Sequence, residues 1–450
     1  MEISVKKNII EIIRDPEADL DLIEALEQDQ LGHEPVIIAK ESLQEKEMKI
    51  GTKQHVSLKF GVVGSGQAGG RMAEVFHRFG YDACAINTAK QDLDTLSIPE
   101  ARRLLIEYTI SGSGKDIEIG QAAIVNHREE VSNFINPVLQ DCDVAVLTLS
   151  LGGGSGSGSA VPMVELLAEL GKPLLVLCAL PGSFDDNQSK FNAIETLGRL
   201  ADFSRRGIVN SLIVIDNAKI ENSFPSLSPS KFWEVSNRSA IEPLHLFNTV
   251  TAIPSDLEVM DAMDLSRALL EAGNCALFGS MSVKKEEYSG DDAALLSAMI
   301  RKLSDALPAD DFDLKEAQAV GILVTAKKEV LDTIPYANIA YLFKYISDEF
   351  DSSRSFKGIY SVAPEDDSDD IKISFIFSGM GLPTRRVDEL KKEADKHLSK
   401  IEEKKKKTTA GMQMGAGRGA LSKADQMIAK AKQSQSAIGK LLGNKVDRKR

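Results

Sequence analysis

An α/β protein built on a Rossmann-like parallel sheet is what this 450-residue chain predicts. Three observations carry the prediction. From Ser57 onward, apolar runs of strand length alternate with glycine-containing loops and helix-length segments, the pattern of a doubly wound sheet with ligand loops at the strands' carboxyl ends. One such loop, Leu151-Gly-Gly-Gly-Ser-Gly-Ser-Gly-Ser159, lies between an apolar strand-like segment and a helix-like one, where linkers seldom occur. Beyond about residue 250 the alternation changes, which predicts a smaller α+β second domain.

The elements follow in order. Residues 1–54 are polar and acidic, with helix-like stretches at 8–13 and 19–26, and read as an appended N-terminal arm. The first domain, 55–228, takes strands at 57–63, 82–87, 103–108, 143–150, 173–180 and 211–216. Its helices are expected at 68–79, 117–133, 159–170 and 187–203. Ser228-Pro229-Ser230 opens a long central helix, 229–253, with proline at the first helical position, where its missing N–H is harmless. The second domain, 254–383, is expected to hold a second sheet with strands at 275–283, 318–325, 357–362 and 371–377 and helices at 291–307 and 336–350. Gly381-Leu-Pro383 ends it, and a C-terminal helix (384–408) and a flexible basic tail (409–450) follow.

Composition narrows the function classes. No apolar stretch approaches the roughly 20 residues that span a membrane, and the N-terminus lacks a signal-peptide core. Cys84, Cys142, Cys178 and Cys275 are scattered without metal spacing and read as reduced thiols of a cytoplasmic protein. The net charge of −13 is uneven: residues 401–450 carry +9, leaving −22 on the first 400. An acidic body resists nonspecific contact with nucleic acid, whereas the tail suits DNA, an anionic surface or an acidic partner. Within the tail, Leu421, Ala424, Met427, Ile428, Ala431, Ile438, Leu441 and Leu442 fall at amphipathic-helix spacing.

The glycine loops point to phosphate. Glycines allow close approach of backbone N–H groups, and the helix that follows adds a positive dipole end. The first strand ends in Gly64-Ser-Gly66-Gln-Ala-Gly69-Gly70, which satisfies the GxGxxG dinucleotide fingerprint and raises an NAD-dependent enzyme as one reading. A dehydrogenase needs an acid at the end of the second strand for the ribose, and Asn87-Thr88 stand there. Neither glycine-rich loop ends in the Gly-Lys-Ser/Thr of a P-loop.

Together the loops resemble the tubulin/FtsZ superfamily of filament-forming GTPases. Gly66-Gln67-Ala68-Gly69 looks like its first loop and Asn87-Thr88-Ala89-Lys90-Gln91-Asp92-Leu93 its second. Gly112-Ser113-Gly114-Lys115-Asp116-Ile-Glu-Ile-Gly120 is similar to the third, and Gly152–Gly158 to the family signature. The resemblance covers residues 57–285 and implies a tubulin/FtsZ-like fold whose GTP-binding domain is 55–228. It implies GTP or GDP with Mg²⁺ as ligands. Gly66, Gln67, Ala68, Asn87 and the amides of Gly153, Gly154, Ser155, Gly156 and Ser157 would surround the phosphates, with Ser113, Gly114 and Lys115 near the γ-phosphate. Asp185, in the loop Pro181-Gly-Ser-Phe-Asp-Asp186, would meet the ribose and Asn217 the guanine. On the central helix, Asn237 would read the base while Trp233, four residues earlier, stacks on it; Phe232 is the competing stacker. The family's acid in the second loop is replaced by Ala89, so Gln67, Gln91 and Asp92 are the candidates for the metal's waters.

No residue of these loops activates the attacking water. In the superfamily that group comes from the next subunit, and Asp261 and Asp264 match its two acids by their distance from Gly273. Val259 stands where the family carries an asparagine, and capping of a helix by Asp261 is the competing reading. The resemblance therefore implies head-to-tail self-assembly with hydrolysis coupled to polymerisation. Cell-division FtsZ and eukaryotic tubulin fit the basic C-terminus less well than TubZ, the plasmid and phage segregation tubulins of bacteria. TubZ is also suggested by Ile215-Asp-Asn-Ala-Lys219, Ser236-Asn237 and Gly379-Met-Gly-Leu-Pro-Thr384. The expectation is a filament that segregates or positions DNA, with a DNA-bound adaptor on the tail and FtsZ-like division as the alternative.

Overall fold

The computed structural model describes residues 55–289, 293–350, 354–362, 368–395 and 399. The N-terminal arm and the basic tail lie outside them. The chain divides into two compact units, Met1–Lys391 and Lys392–Arg450. The first holds the sheet and residues 384–391 of a C-terminal helix; in the second, residues 392–395 are helical.

The strand–loop–helix alternation of the sequence is realised as β1 (Phe60–Ser65), α1 (Gly66–Arg78), β2 (Asp82–Asn87), α2 (Lys90–Asp94), β3 (Arg103–Leu105), α3 (Ile117–Asn126), α4 (Arg128–Leu139), β4 (Val144–Ser150), α5 (Gly154–Ala168), β5 (Leu174–Leu180), α6 (Asn187–Arg205), β6 (Ser211–Asp216) and α7 (Asn217–Ser223). These six strands run parallel. Alternate residues of β4 feed opposite cores, Val144 and Val146 on one face and Ala145, Leu147 and Leu149 on the other. A strand covered by helices on both sides needs a near-continuous apolar run, which 144–149 supplies except at Thr148, whose buried hydroxyl donates to the Gly69 carbonyl at 2.8 Å.

Three expectations about regular structure are corrected. The helix expected over 117–133 is two helices, α3 and α4, broken at His127. The imidazole Nδ1 of His127 lies 2.9 Å from the Ala123 carbonyl, the group its own backbone N–H would reach in a continuous helix. The central helix over 229–253 is likewise split into α8 (Pro229–Arg238) and α9 (Ile241–Val250). Pro243 has no N–H to continue α8, and it sits within the first turn of α9, where none is required. Finally, the later strands form no separate sheet. β7 (Cys275–Val283) pairs parallel to β6 through Leu212↔Cys275 and Ile213↔Ala276.

The rest of the chain extends that sheet: α10 (Ala262–Ser266) precedes β7, and α11 (Lys285–Tyr288), α12 (Ala294–Ala306), β8 (Ala319–Ala326), α13 (Lys328–Leu331), α14 (Tyr336–Glu349), β9 (Arg354–Ser361) and β10 (Ile371–Met380) follow it. β10 runs antiparallel between β7 and β8, with a register shift around Gly379, whose φ of +90° suits glycine. The order β3-β2-β1-β4-β5-β6-β7-β10-β8-β9 makes one ten-stranded sheet.

Candidate nucleotide-binding site

Three helices that follow neighbouring strands, α1, α2 and α5, have no side chain closing their first turns, and of these α1 and α5 meet end to end. α1 follows β1 and α5 follows β4, and neither N-cap residue, Ser65 nor Gly153, makes a side-chain capping bond. A Cβ on Gly66, whose φ is +74°, would lie 2.8 Å from the Gly156 amide nitrogen, so the two helix ends touch. Each leaves backbone N–H groups and a positive dipole end unsatisfied. The helices after β3, β5 and β6 differ: Asp116 caps α3, Asp186 caps α6 and Asp216 caps α7, each accepting from backbone N–H groups. An anion therefore finds open donors where α1 and α5 meet, around Gly66, Gln67, Ala68, Gly153, Gly154, Ser155 and Gly156.

Hydroxyls from three loops surround that point. Ser155 Oγ lies 2.7 Å from Thr88 Oγ1 and 3.0 Å from Ser113 Oγ. Ser157 turns inward, donating to the Leu151 carbonyl at 2.6 Å, so only its backbone faces the loop's ligand side. The glycines of the signature run have a second duty. A Cβ on Gly154 would strike Ser113 Oγ, one on Gly156 would lie 2.8 Å from the Ser150 carbonyl, and one on Gly158 would strike the Ile117 carbonyl. Gly154 and Gly158 let the third loop and α3 press against α5, and Gly156 lets α5 start close against the ends of β4 and β1, whereas a Cβ on Gly114 would meet open space.

Lys115, in left-handed backbone (φ +64°), pairs with Asp186 and donates to Ser189 Oγ at 2.9 Å. The ammonium beside it holds the Asp186 carboxyl below the usual range. Asn192 ties two loops together, donating to the carbonyls of Lys115 at 2.9 Å and Gly152 at 3.2 Å. Asp185 accepts from the Gly182 N–H at 2.8 Å and thereby closes its own turn. Asp186 and Asn192 were not foreseen; the Asp186-Asn-Gln-Ser189 run is a capping pattern that could have revealed the first.

At the end of β6, Asn217 is buried and its Oδ1 accepts from Ser236 Oγ of α8 at 2.6 Å. Its NH2 is thus the half of the amide left to meet a ligand. Asn237 is buried on the same helix, whereas Trp233 is 36% exposed and meets Phe232 edge-on at 5.0 Å. Phe232 packs against the core, which leaves Trp233 the accessible ring of the two. Arg386, from 170 positions along the chain, donates to Asp216 Oδ2 at 2.8 Å and to the Pro181 carbonyl at 3.0 Å. Burial pushes the Asp216 carboxyl up, with Arg386 opposing it. Nothing local in the sequence signals this pair.

Asp261 and Asp264 lie away from these loops. The α8–α9 pair descends from Asn217, at the carboxyl end of β6, to the opposite end, where the Asn248 carbonyl accepts from Ser57 N and Asn248 Oδ1 from Leu58 N, both at 2.8 Å. On the far side of the acids, Leu269 O accepts from Ser211 Oγ at the first residue of β6. Both flanks of the segment are thus tied to the amino-terminal ends of the strands. Asp261 Oδ1 accepts from the N–H groups of Met263 (2.8 Å) and Asp264 (2.9 Å), and Asp264 Oδ2 accepts in return from Asp261 N at 3.2 Å. In the single chain the two carboxylates form a capping box.

A nucleotide-borne Mg²⁺ needs only one or two protein carboxylates. Among the described residues no cluster of three metal-ligating side chains exists. Asp92 fits the lesser requirement: Gln67 Nε2 (3.0 Å) and Asn87 Nδ2 (2.9 Å) hold its two oxygens beside the first and second loops. Gln91 is engaged by Ser111 at 3.3 Å.

Known proteins match this arrangement. Residues 59–225 match the Tubulin/FtsZ family, GTPase domain. The tubulin-like protein CetZ of Pyrococcus abyssi is 26% identical over 328 residues, 71% of this chain and 85% of its own. The tubulin-like protein TubZ of Bacillus cereus is 24% identical over 220 residues, 45% of this chain and 50% of its own. A GTPγS-form protofilament of TubZ from Bacillus thuringiensis serovar israelensis superposes with a TM-score of 0.66, at 20% identity, covering 79% of this chain and 95% of that one. The fold is the tubulin/FtsZ fold. In sequence, the likeness to TubZ spans less of the chain than the likeness to CetZ. Among the described residues no helix is long and apolar enough to cross a membrane.

Proposed function

We propose that this chain, whose residues 59–225 are a Tubulin/FtsZ-family GTPase domain, binds GTP with Mg²⁺ and hydrolyses it in head-to-tail filaments. The observation that carries the nucleotide reading is the paired open ends of α1 and α5, set against the aspartate caps of the helices after β3, β5 and β6. The N–H groups there hold the phosphates, and Lys115 is within its loop's reach of the terminal one. Asn217, with its oxygen taken by Ser236, offers NH2 to the 6-carbonyl of guanine and mismatches the 6-amino group of adenine. Trp233 covers the base and Asn237 and Asp185 complete the pocket. Bound metal would neutralise charge on the phosphates, with Asp92 and Gln67 facing its waters.

Hydrolysis needs a base that the loops lack. Asp261 and Asp264, at the far end of the same chain, reach a phosphate only from a neighbouring copy, where they orient water and accept its proton. Exposed apolar side chains support stacking of unlike ends: Ile110 and Phe184 beside the loops, and Ile253, Leu257, Val259 and Met263 beside the acids. A contact between different surfaces repeats from copy to copy, and a filament results when its rotation does not close into a ring. The cargo is the finer part of the proposal. The filament carries plasmid or phage DNA in a bacterial cytoplasm through an adaptor on the basic tail, a reading supported by the TubZ likeness and by the +9 charge of residues 401–450. Filaments that pellet DNA with adaptor equally well after deletion of residues 410–450 would refute that cargo reading.

Turnover measured across protein concentration, with pelleting in parallel, tests the core of the proposal. Activity should appear cooperatively above a threshold that coincides with pelleting. Turnover strictly proportional to concentration, without pellet, would sink assembly-coupled hydrolysis.

A further inference from the structure

The helix that presents Asn217 is only seven residues long and is held by a residue far along the chain. Arg386, at the start of the C-terminal helix, makes a two-pronged contact. Its Nε donates to Asp216 Oδ2 at 2.8 Å and its Nη2 to the carbonyl of Pro181 at 3.0 Å. The side chains are 10% and 6% exposed, so the pair is desolvated and directional. Asp216 simultaneously caps α7 through Ala218 N at 3.1 Å. One guanidinium therefore fixes the residue before Asn217 and the first residue of the loop that runs to Asp185 and Asp186. Three residues on, Lys219 is 6% exposed and bonds Asp310 at 2.5 Å, anchoring the same short helix again. The planar fork of arginine suits this simultaneous contact, and a lysine would keep the charge without the geometry.

We propose that Arg386 is a positioning residue that sets nucleobase selectivity. It holds the loops after β5 and β6 in the register that lets the Asn217 NH2 meet a purine 6-carbonyl. This rests on the guanine reading of Asn217 given above. The open helix ends α1 and α5 follow other strands, so loss of Arg386 acts most on the base; any effect through the Pro181–Asp186 loop falls on the ribose and phosphates that GTP and ATP share.

The test measures dissociation constants of GTP and ATP for the full-length chain and for Arg386→Leu, Arg386→Lys and the double variant Asp216→Asn/Arg386→Met. The double variant leaves no buried unpaired carboxylate and keeps a capping oxygen, so it supplies the measurement should Arg386→Leu fail to fold. Expected is a fall of about tenfold or more in the preference for GTP over ATP in the leucine and double variants, with GTP binding weakened more than ATP binding. Arg386→Lys should fall between these and the native chain. Folded variants with native preference, or equal weakening of both nucleotides, would overturn the positioning role and leave a structural ion pair. A native chain without preference for GTP would instead remove the guanine reading beneath it, and the proposal with it.

Discussion

Replacing Asp261 and Asp264 by asparagine separates capping from catalysis. The asparagine side chain retains an oxygen acceptor. In Asp261→Asn that oxygen can still take the N–H groups of Met263 and Asp264, and in Asp264→Asn it can still take that of Asp261. Asparagine and aspartate are near-equivalent caps, so unfolding free energy should change by less than about 0.5 kcal/mol. Alanine at 261 removes both accepted bonds and should cost about 1 kcal/mol; alanine at 264 removes one long bond and should cost less. Against a total stability of about 5 kcal/mol or more, neither loss depopulates the folded state. A general base contributes about a hundredfold or more to the rate, which is roughly 2.7 kcal/mol of barrier. Capping energy alone cannot produce an effect of that size on turnover. The assay is GTP turnover above the assembly threshold, with pelleting and a urea melt on the same samples. Asp264→Asn should pellet normally, melt normally and lose about a hundredfold of its turnover. Asparagine variants that assemble and turn over at near-native rates would show that the acids only cap α10, and the shared active site would have to be abandoned.

Three other consequences are measurable. Gly158→Ala places a Cβ against backbone at Ile117 and Gln121 and should cost about 1–3 kcal/mol or more in a urea melt. Gly114→Ala meets open space but keeps φ at +58°, so its cost should stay near 1 kcal/mol; equal losses would refute the packing role given to the signature glycines. His245, stacked on Phe79 and bonded to Tyr81 at 3.0 Å, has its pKa lowered by burial from 6.5 to about 4. The unfolded chain then binds the extra proton between those values, so stability falls as pH drops from 6.5 to about 4, by up to roughly 3 kcal/mol. His245→Leu should flatten that part of the melting profile relative to the native chain; an unchanged slope would assign the acid sensitivity elsewhere. Lys115→Met breaks a largely exposed pair with Asp186 and should shift stability by less than about 1 kcal/mol. If its ammonium serves the terminal phosphate, the same variant should bind GTP more weakly while leaving GDP unaffected, as competition titrations would report.

What the residues alone determined is local. Apolar runs such as 174–180 must be strands covered on both faces, and a glycine-serine run between strand and helix must expose backbone N–H groups, because these follow from side-chain volume and backbone freedom within a few positions. The order of loops was legible for the same reason, as were Asp261 and Asp264 as a pair at a helix start. Helix breaks at His127 and Pro243 were legible in principle, since one side chain competes for a carbonyl and the other lacks an N–H. Only the tertiary structure decided which helix ends stay open, because whether a loop aspartate caps its helix depends on the geometry that packing imposes. It also decided that β7 joins β6, that the signature glycines serve packing as well as a ligand, and that the acids sit at the opposite end from the loops. Arg386 meets Asp216 across 170 positions. Such a contact is made when folding closes the intervening chain, and no pattern of neighbours along the sequence encodes it.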